Sequence, residues 1–243
     1  MKLCSIVPTN KKKLMIGRDY NMLLSHIILD NPKYAKWVKN NLKDSYKIVD
    51  NSIVELGEAF NMEDLLRAAN EVNADEIILP DVFRNGKATI GRAKESIVML
   101  RNSKYWGRFK LMAVCHARSK EEFEENFKEL EKIEEIDVIG IPKVTSEWGN
   151  RNDFKDLYLN SNKEIHYLGC YDSFRELIEI VNDEDVYNKI RTIDTCLPSL
   201  LCIQGKKWYE KRNHSYTIDL QKDKFRNDDY ENMMRDLKEN LGL

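Results

Sequence analysis

Short apolar runs recur along the chain, and they alternate with longer segments whose apolar positions have helical spacing. Most of the short runs are rich in β-branched residues and nearly continuous in apolar character, which is typical of strands buried on both faces. The pattern predicts seven strands: Lys2–Val7, Tyr46–Val49, Glu76–Leu79, Phe109–Val114, Asp137–Ile141, Ile165–Leu168 and Ile190–Ile193.

Several of the longer segments carry the start signals of helices. Asn61 precedes Met62–Val72 as a suitable N-cap, and acidic residues occupy the first turn. Ser119–Ile133 opens with a capping box, Ser-Lys-Glu-Glu, and carries an apolar face. Ser173–Val181 and Asp229–Leu241 follow the same pattern. Because strands and helices alternate, we expect parallel strands joined by crossover helices.

Seven strands with intervening helices fit a (β/α)8 barrel, an α/β fold of the TIM type, better than an open sheet. The pattern leaves the eighth strand open, and Leu197–Ile203 and Tyr216–Leu220 are both candidates for the closing element. No linker, repeat or low-complexity tract divides the chain, which predicts one domain. Residues 1–205 are predicted to form the barrel, and residues 206–243 a C-terminal appendage packed on it.

The composition narrows the class of protein. The 243 residues are 42% apolar and 33% charged, which excludes a disordered or disulfide-dense chain. Lys and Arg number 39 against 41 Asp and Glu, and the net charge of -2 argues against a globally basic nucleic-acid binder. The five cysteines form no CxxC pair, which favours reduced thiols in a cytosolic (cytoplasmic) protein. Neither a membrane-spanning run of about 18 apolar residues nor a secretory signal is expected.

Three aspartates closely follow predicted strands, at Asp50, Asp81 and Asp194. In a parallel α/β barrel the carboxyl ends of the strands carry the chemistry. A single aspartate there is usually a helix cap or a turn residue. Three at equivalent strand ends, with Gly140 and Gly169 on neighbouring strands, favour a site that a flat ligand approaches closely. Convergent carboxylates suit chemistry at a sugar carbon, where one is the nucleophile and another carries a proton.

These motifs, in this order, resemble the tRNA-guanine transglycosylase superfamily, and most of all its short phage and bacterial members that act on DNA. Tyr167-Leu168-Gly169 followed by Ile193-Asp194-Thr195-Cys196-Leu197-Pro198 is similar to the family's Leu-Met-Gly and Phe-Asp-Cys-Val-Leu-Pro stretches. Val49-Asp50-Asn51-Ser52 is similar to its Asp-Ser-Gly-Gly strand end. The resemblance covers residues 45–205, roughly.

The resemblance implies a role for each matched position. Asp194 is expected to be the covalent nucleophile and Asp50 the residue that handles protons. Asp81 is expected to hold the base through its carboxylate. The other expected substrate contacts are Asn51, Ser52, Cys115, His116, Gly140, Ile141, Leu168 and Gly169. Among these, Cys115 or His116 stands where the family has a glutamine, and Asp50 is followed by Asn51-Ser52-Ile53 and not by the family's paired glycines.

The family's zinc module, three cysteines and a histidine after the nucleophile, has no counterpart here. Beyond Asp194 the chain offers only Cys196, Cys202 and His214, whose spacing does not suit zinc. We therefore expect no metal and no cofactor. In the tRNA enzymes this module supports tRNA docking, so its loss favours DNA as the polynucleotide.

The expected reaction replaces guanine in DNA with a 7-deazaguanine derivative. Its partners are double-stranded DNA with the target guanine flipped out, a free 7-deazaguanine base, and guanine as the product. Residues 1–50 hold ten Lys or Arg against four acids, and residues 205–226 hold seven against three, with Trp208, Tyr209 and Tyr216 interleaved. Such patches grip phosphates. The candidate phosphate contacts are Lys11, Lys12, Lys13, Lys206, Lys207 and Arg212.

Other interpretations stay open. The substrate is tRNA in one of them, and in another water resolves the intermediate and the base is simply released. A third is a base-binding subunit without catalysis, although the pair Asp50 and Asp194 argues against it. A metal-dependent hydrolase is disfavoured because the four histidines form no HxH pair. His166, inside a predicted strand, is expected to be a core or supporting residue, and Trp148 and Arg151 are weaker candidates for the rim of the site.

Overall fold

Eight parallel strands close into a barrel, which confirms the predicted (β/α)8 fold. The structure is a computed structural model that describes residues 1–147, 150–170, 172–215, 218, 220 and 222–242. Pairing of the first strand with the last closes the ring. The strands are β1 (Lys2–Ser5), β2 (Tyr20–Leu24), β3 (Tyr46–Asp50), β4 (Glu76–Ile78), β5 (Lys110–Val114), β6 (Val138–Ile141), β7 (Glu164–Tyr167) and β8 (Ile190–Thr195).

Helices connect the strands and cover the barrel. The α-helices of the described residues are α1 (Ser25–Asp30), α2 (Pro32–Asn41), α3 (Ile53–Leu56), α4 (Met62–Glu71), α5 (Gly86–Arg101), α6 (Lys120–Glu131), α7 (Lys155–Asn160), α8 (Arg175–Val181), α9 (Glu184–Lys189), α10 (Leu197–Ile203) and α11 (Asn227–Leu241). Short 3₁₀ segments lie at Thr9–Met15, Lys143–Glu147 and Arg151–Phe154. The Asn61 side chain caps α4 and the Ser119 side chain caps α6, as the sequence predicts.

The strand that the hydrophobic pattern does not reveal is β2. It lacks β-branched residues and runs directly into α1, so its apolar positions merge with those of the helix. The candidate closing element Leu197–Ile203 is wrong, because that segment is α10, with a proline in its first turn. The other candidate, Tyr216–Leu220, lies mostly outside the described residues.

Alternation along the strands divides their side chains between two cores. One core fills the barrel and consists of Cys4, Met22, Ile48, Ile78, Met112, Val114 and Val138. The other lies between barrel and helices and includes Leu3, Leu23, Val49, Ile77, Leu111, Ile139, Ile165 and Ile193. Because Val49 and Ile193 face the helices, the next residues, Asp50 and Asp194, face the barrel axis.

An ion-pair network closes the amino-terminal end of the barrel. The Arg191 guanidinium donates to both carboxylate oxygens of Glu76, at 2.7 and 2.9 Å, and to Glu164 at 2.9 Å. The Tyr46 hydroxyl donates to Glu76 at 2.8 Å, and the rings of Tyr20 and Tyr46 each lie 5.7 Å from the guanidinium. Between Ile165 and His166 the register of β7 with β8 shifts, which adds Arg191 as an extra residue of β8. The buried charges at this end of the barrel are therefore paired, and side chains fill its interior.

The C-terminal helix packs into the apolar core that lies between the barrel and the helices. Tyr230, Met233, Met234 and Leu237 of α11 belong to the same apolar cluster as the outward strand residues. Arg18 pairs with Glu231 at 2.6 Å at its edge. The division at residue 205 stays a prediction. Among the described residues no helix combines the length and the apolar character that crossing a bilayer requires.

We expect Arg191→Met to lower the free energy of unfolding by about 3–5 kcal/mol, because it leaves the fully buried Glu76 without its cation. Urea denaturation followed by circular dichroism measures the loss. Adding Glu76→Gln should restore part of it. The control is Lys132→Met, which breaks an exposed ion pair and should change the free energy of unfolding little. An equal loss in both variants would contradict a special role for the ion-pair network at the amino-terminal end of the barrel.

Candidate active site

The carboxyl end of the barrel gathers the predicted aspartates. Asp50 is the last residue of β3 and Asp194 lies one residue before the end of β8. Strands β1 and β2 lie between them in the ring, where Leu24 pairs with Asp50 and Cys4 pairs with Asp194. Both side chains therefore start from one rim and point toward the axis that they share.

The Asp194 carboxylate is buried and held at one oxygen. Its Oδ1 accepts hydrogen bonds from the backbone N–H of Gly169 at 2.9 Å and from His166 Nε2 at 3.1 Å. Gly169 has φ 72°, a left-handed value that glycine adopts readily. Within the described residues, Oδ2 makes no hydrogen bond or ion pair. Asp194 thus keeps one carboxylate oxygen for another partner.

The Asp50 carboxyl has the opposite environment. It is half-buried, and its Oδ1 accepts one hydrogen bond, from the backbone N–H of Ser52 at 3.0 Å. Burial raises the pKa of Asp50 to about 8, and the negative charges of Glu55, Asp81 and Asp194 act in the same direction. This influence indicates that the three aspartates share one end of the barrel. A carboxyl with a pKa near neutrality can both give and take a proton.

Asp81 is the centre of a buried polar cluster. Asn51 Nδ2 donates to its Oδ1 at 2.9 Å, and His116 Nε2 lies 2.6 Å from its Oδ2. Each oxygen retains a further lone pair for a ligand donor. The Phe83 ring is 52% exposed and packs edge-on against His116, with the ring centroids 5.7 Å apart. The cluster therefore combines a carboxylate acceptor with an exposed aromatic face.

Asn51 and Ser52 shape the loop after β3. The Asn51 side chain also donates to the Leu79 carbonyl at 2.9 Å, so its amide is used within the protein. Ser52 has φ 64° and its hydroxyl lies 2.9 Å from that of Ser25. Both side chains are buried, and their contacts order the loop that carries Asp50.

The absence of a side chain at Gly140 serves the packing of the barrel. A Cβ at this position would lie 3.0 Å from Leu168 Cδ1 and 3.1 Å from Met112 Sδ. The glycine thus makes room for these two residues inside the barrel, and its expected backbone contact with a ligand stays a prediction. Leu168 itself is half-buried and packs on the barrel core. It is Leu168 that presents the surface above Gly140.

Arg151 supports the ends of β6 and β7. It is fully buried, donates to the carbonyls of Ile141 at 2.9 Å and Leu168 at 2.7 Å, and forms a double ion pair with Glu176 at 2.7 and 2.5 Å. Its guanidinium belongs to the interior and not to the rim. The Ile141 side chain faces the helix layer, and its carbonyl accepts from Arg151 and from the backbone N–H of Leu168. Trp148 lies outside the described residues.

Cys115 does not join the polar cluster at Asp81. It faces the helix layer, where its thiol donates to the Phe123 carbonyl at 3.7 Å, whereas the next residue, His116, faces inward. Of these two expected substrate contacts, His116 is therefore the one whose side chain lies at the site. All five cysteines are free, and no group of three or more His, Cys, Asp or Glu among the described residues is arranged to hold a metal ion.

The first basic patch is partly engaged with the protein itself. Lys11 Nζ donates to Asn227 Oδ1 at 3.0 Å, and Lys12 Nζ lies 5.3 Å from the centroid of a Trp37 ring. Lys13 is exposed. Of the three, Lys13 is the one that extends into solvent.

The second basic patch follows α10. Lys206 Nζ donates to the Lys211 carbonyl at 2.6 Å, whereas Lys207 is exposed. Arg212 is half-buried and its Nε has no hydrogen-bond partner among the described residues. Tyr209 beside them is 68% exposed. Of the three candidate phosphate contacts in this patch, Lys206 is engaged with the protein itself, and Tyr216 lies outside the described residues.

The sequence predicts His166 only as a core or supporting residue and Arg151 only as a weaker candidate for the rim of the site. The signal for His166 was present, since it lies two residues before Leu168 and so shares its inward face. Thr192 and Asp194 have the same spacing on β8. Arg151 carried no such signal, because it lies in a 3₁₀ segment without strand periodicity.

No protein-family model matches this chain, and no curated protein is significantly similar to it.

Replacing Asp50 by Asn should stabilise the protein in a pH-dependent way. The raised pKa means that the folded state keeps a proton that the unfolded state releases, so the parent loses stability as pH rises from about 4 to about 8. We expect the advantage of Asp50→Asn to grow by about 2 kcal/mol between pH 5 and pH 8 and then to level off. Urea denaturation at four pH values measures it, with exposed Asp30→Asn as control. A constant difference would contradict the assignment.

Proposed function

We propose that this protein is a base-exchange transglycosylase that replaces guanine in DNA with a 7-deazaguanine derivative. The observation that carries the proposal is the pairing of two unlike carboxyl groups at one barrel rim. Asp194 has one oxygen held by two N–H donors and one oxygen without a partner among the described residues. Asp50 has a pKa raised to about 8. Such a pair supplies a nucleophile and a proton carrier.

In the first half of the reaction, Asp194 Oδ2 attacks C1′ of the target deoxyguanosine. A bond forms between this oxygen and C1′, and the bond from C1′ to guanine N9 breaks with its electron pair going to guanine. Asp50 gives its proton to the departing base and becomes a carboxylate. The sugar remains attached to Asp194 as an ester-like glycosyl–enzyme intermediate.

In the second half, the 7-deazaguanine base takes the place of guanine. Asp50 accepts the N9 proton of the incoming base, whose nitrogen attacks C1′ as the bond to Asp194 breaks. The Asp194 carboxylate and the protonated Asp50 are thereby regenerated. Microscopic reversibility requires the same residue to serve both directions. No oxidant, reductant or external acid enters the balance.

The base is proposed to lie between the Asp81 cluster and Leu168. Asp81 would accept hydrogen bonds from N1–H and the exocyclic amine of a guanine-like base, using the lone pairs that Asn51 and His116 leave. Phe83 offers an exposed aromatic face at the same cluster. Guanine and 7-deazaguanine share this edge, so one subsite serves the leaving and the incoming base.

The polynucleotide is proposed to be duplex DNA from which the target guanine is extruded, since the rim admits a base only outside the stack. Of the six candidate phosphate contacts, Lys13 and Lys207 are exposed, and the Nε of Arg212 has no hydrogen-bond partner among the described residues. They are the proposed phosphate contacts.

Radiolabelled guanine should enter duplex DNA in the presence of the wild-type protein, and unlabelled 7-deazaguanine should chase it out. Matched reactions on DNA and on tRNA, followed by nucleoside mass spectrometry, measure the substrate class. Exchange confined to tRNA would overturn the choice of DNA. Guanine release that leaves abasic sites would assign hydrolysis in place of exchange.

Asp194→Ala should abolish exchange and the covalent protein–DNA adduct that survives denaturation, with the fold retained by circular dichroism. The loss is expected to exceed a thousandfold, because no other group forms the bond to C1′. Asp172→Ala, which removes a half-buried carboxyl outside the cluster, is the control. Incorporation by Asp194→Ala at the wild-type rate would refute the mechanism, and Asp194→Asn is avoided because deamidation restores the carboxylate.

A further inference from the structure

A chain of polar contacts inside the barrel ends at Asp194. Thr192 on β8 pairs in register with His166 on β7, and the Thr192 hydroxyl lies 2.6 Å from His166 Nδ1. His166 Nε2 lies 3.1 Å from Asp194 Oδ1. Thr192 and His166 are both fully buried. The three side chains therefore form one continuous hydrogen-bonded line.

The partners define the proton arrangement along this line. A carboxylate oxygen only accepts, so Nε2 of His166 must carry the hydrogen that it donates to Asp194. In the neutral ring Nδ1 is then an acceptor, and the Thr192 hydroxyl is the donor to it. The threonine thus selects the tautomer that the aspartate needs.

We infer that His166, with its tautomer set by Thr192, is a positioning residue that fixes Oδ1 of the Asp194 nucleophile and so leaves Oδ2 facing the sugar. The inference rests on the proposed function and names how the same site orients its nucleophile. Gly169 supplies the second donor to Oδ1, from the loop after β7. Two donors on one oxygen hold the plane of the carboxylate before substrate arrives.

The placement argues for more than packing. Elsewhere the barrel interior is filled by apolar side chains such as Ile48, Met112 and Val138. A histidine and a threonine at the same depth require mutual hydrogen bonds to offset their desolvation. An aliphatic pair would fill this volume without that cost, but it would leave Asp194 Oδ1 with Gly169 alone.

Other titratable groups surround Asp194, and burial keeps its thiol neighbours neutral. These groups are His166, Cys4, Asp50, Cys170 and Cys196. Burial raises the pKa of Cys170 and of Cys196 to about 12, and that of Cys4 well above its usual value.

The test compares Thr192→Val, Thr192→Ser and His166→Gln with the wild type. Thr192→Val keeps the shape but removes the hydroxyl donor, Thr192→Ser retains it, and His166→Gln keeps an N–H donor near the position of Nε2. We expect Thr192→Val to lower kcat for guanine exchange about tenfold with KM for DNA unchanged, and Thr192→Ser to match the wild type. His166→Gln should exceed His166→Leu in kcat because it still donates to Asp194.

A second measurement does not depend on turnover. At a fixed pH, the ¹³C resonance of the Asp194 carboxyl in the free protein, assigned with Asp194→Ala, should move in His166→Leu because the hydrogen bond from His166 Nε2 to Oδ1 is lost. Thr192→Ser should leave this resonance at the wild-type position. Ser45→Ala, which removes a buried hydroxyl at the amino-terminal end of β3, is the control for a merely structural loss.

The outcomes separate the inference from the proposed function. His166→Leu and Thr192→Val variants that equal the wild type in kcat and in the Asp194 resonance would overturn the inference while exchange by the wild type upheld the function. A moved resonance together with no exchange by the wild type on any polynucleotide would support the positioning and overturn the function. A loss of the same size in Ser45→Ala would also count against the inference.

Discussion

Closure of eight parallel strands forces their carboxyl ends onto one rim, and alternation then decides which side chain at each end faces the axis. Asp50 and Asp194 are far apart in the chain, yet each follows an outward apolar residue of its strand. The same rule turns His116 inward and Cys115 outward. Every feature of the candidate site depends on this geometric constraint, because the motifs have no contact with one another until the ring closes.

Buried charge is paired with opposite charge at one end of the barrel but not at the other. At the amino-terminal end, Arg191 matches the charge of Glu76, so this region holds the fold together. At the carboxyl end, the carboxyl groups of Asp50, Asp81 and Asp194 have no arginine or lysine partner among the described residues, and their polar contacts are amide N–H groups and histidines. Uncompensated carboxyl groups lower stability and shift proton equilibria. Such a cost is typical of a site that serves chemistry.

The carboxyl groups of the rim also differ from one another. Asp50 is surrounded by negative charge and little hydrogen bonding, and its pKa is raised to about 8. Asp194 receives two N–H donors on one oxygen, and Asp81 is held at both oxygens. Three residues of one chemical type thus gain three different environments, which suit the proposed roles of proton carrier, nucleophile and acceptor for a base edge. This separation, more than the presence of aspartates, supports the proposal of exchange at a sugar carbon.

The sequence by itself determined the barrel class, seven of its strands and the location of three aspartates at strand ends, because apolar periodicity and chain order are local properties. Tertiary structure alone decided the rest. It revealed β2, whose apolar residues merge with those of α1, and it assigned the space at Gly140 to Leu168 and Met112. It also brought His166 of the neighbouring strand β7 to Asp194, and it linked His166 to Thr192, which precedes Asp194 by two residues on β8. Contacts between strands depend on register, and register is fixed only when the ring is closed and its interior is packed.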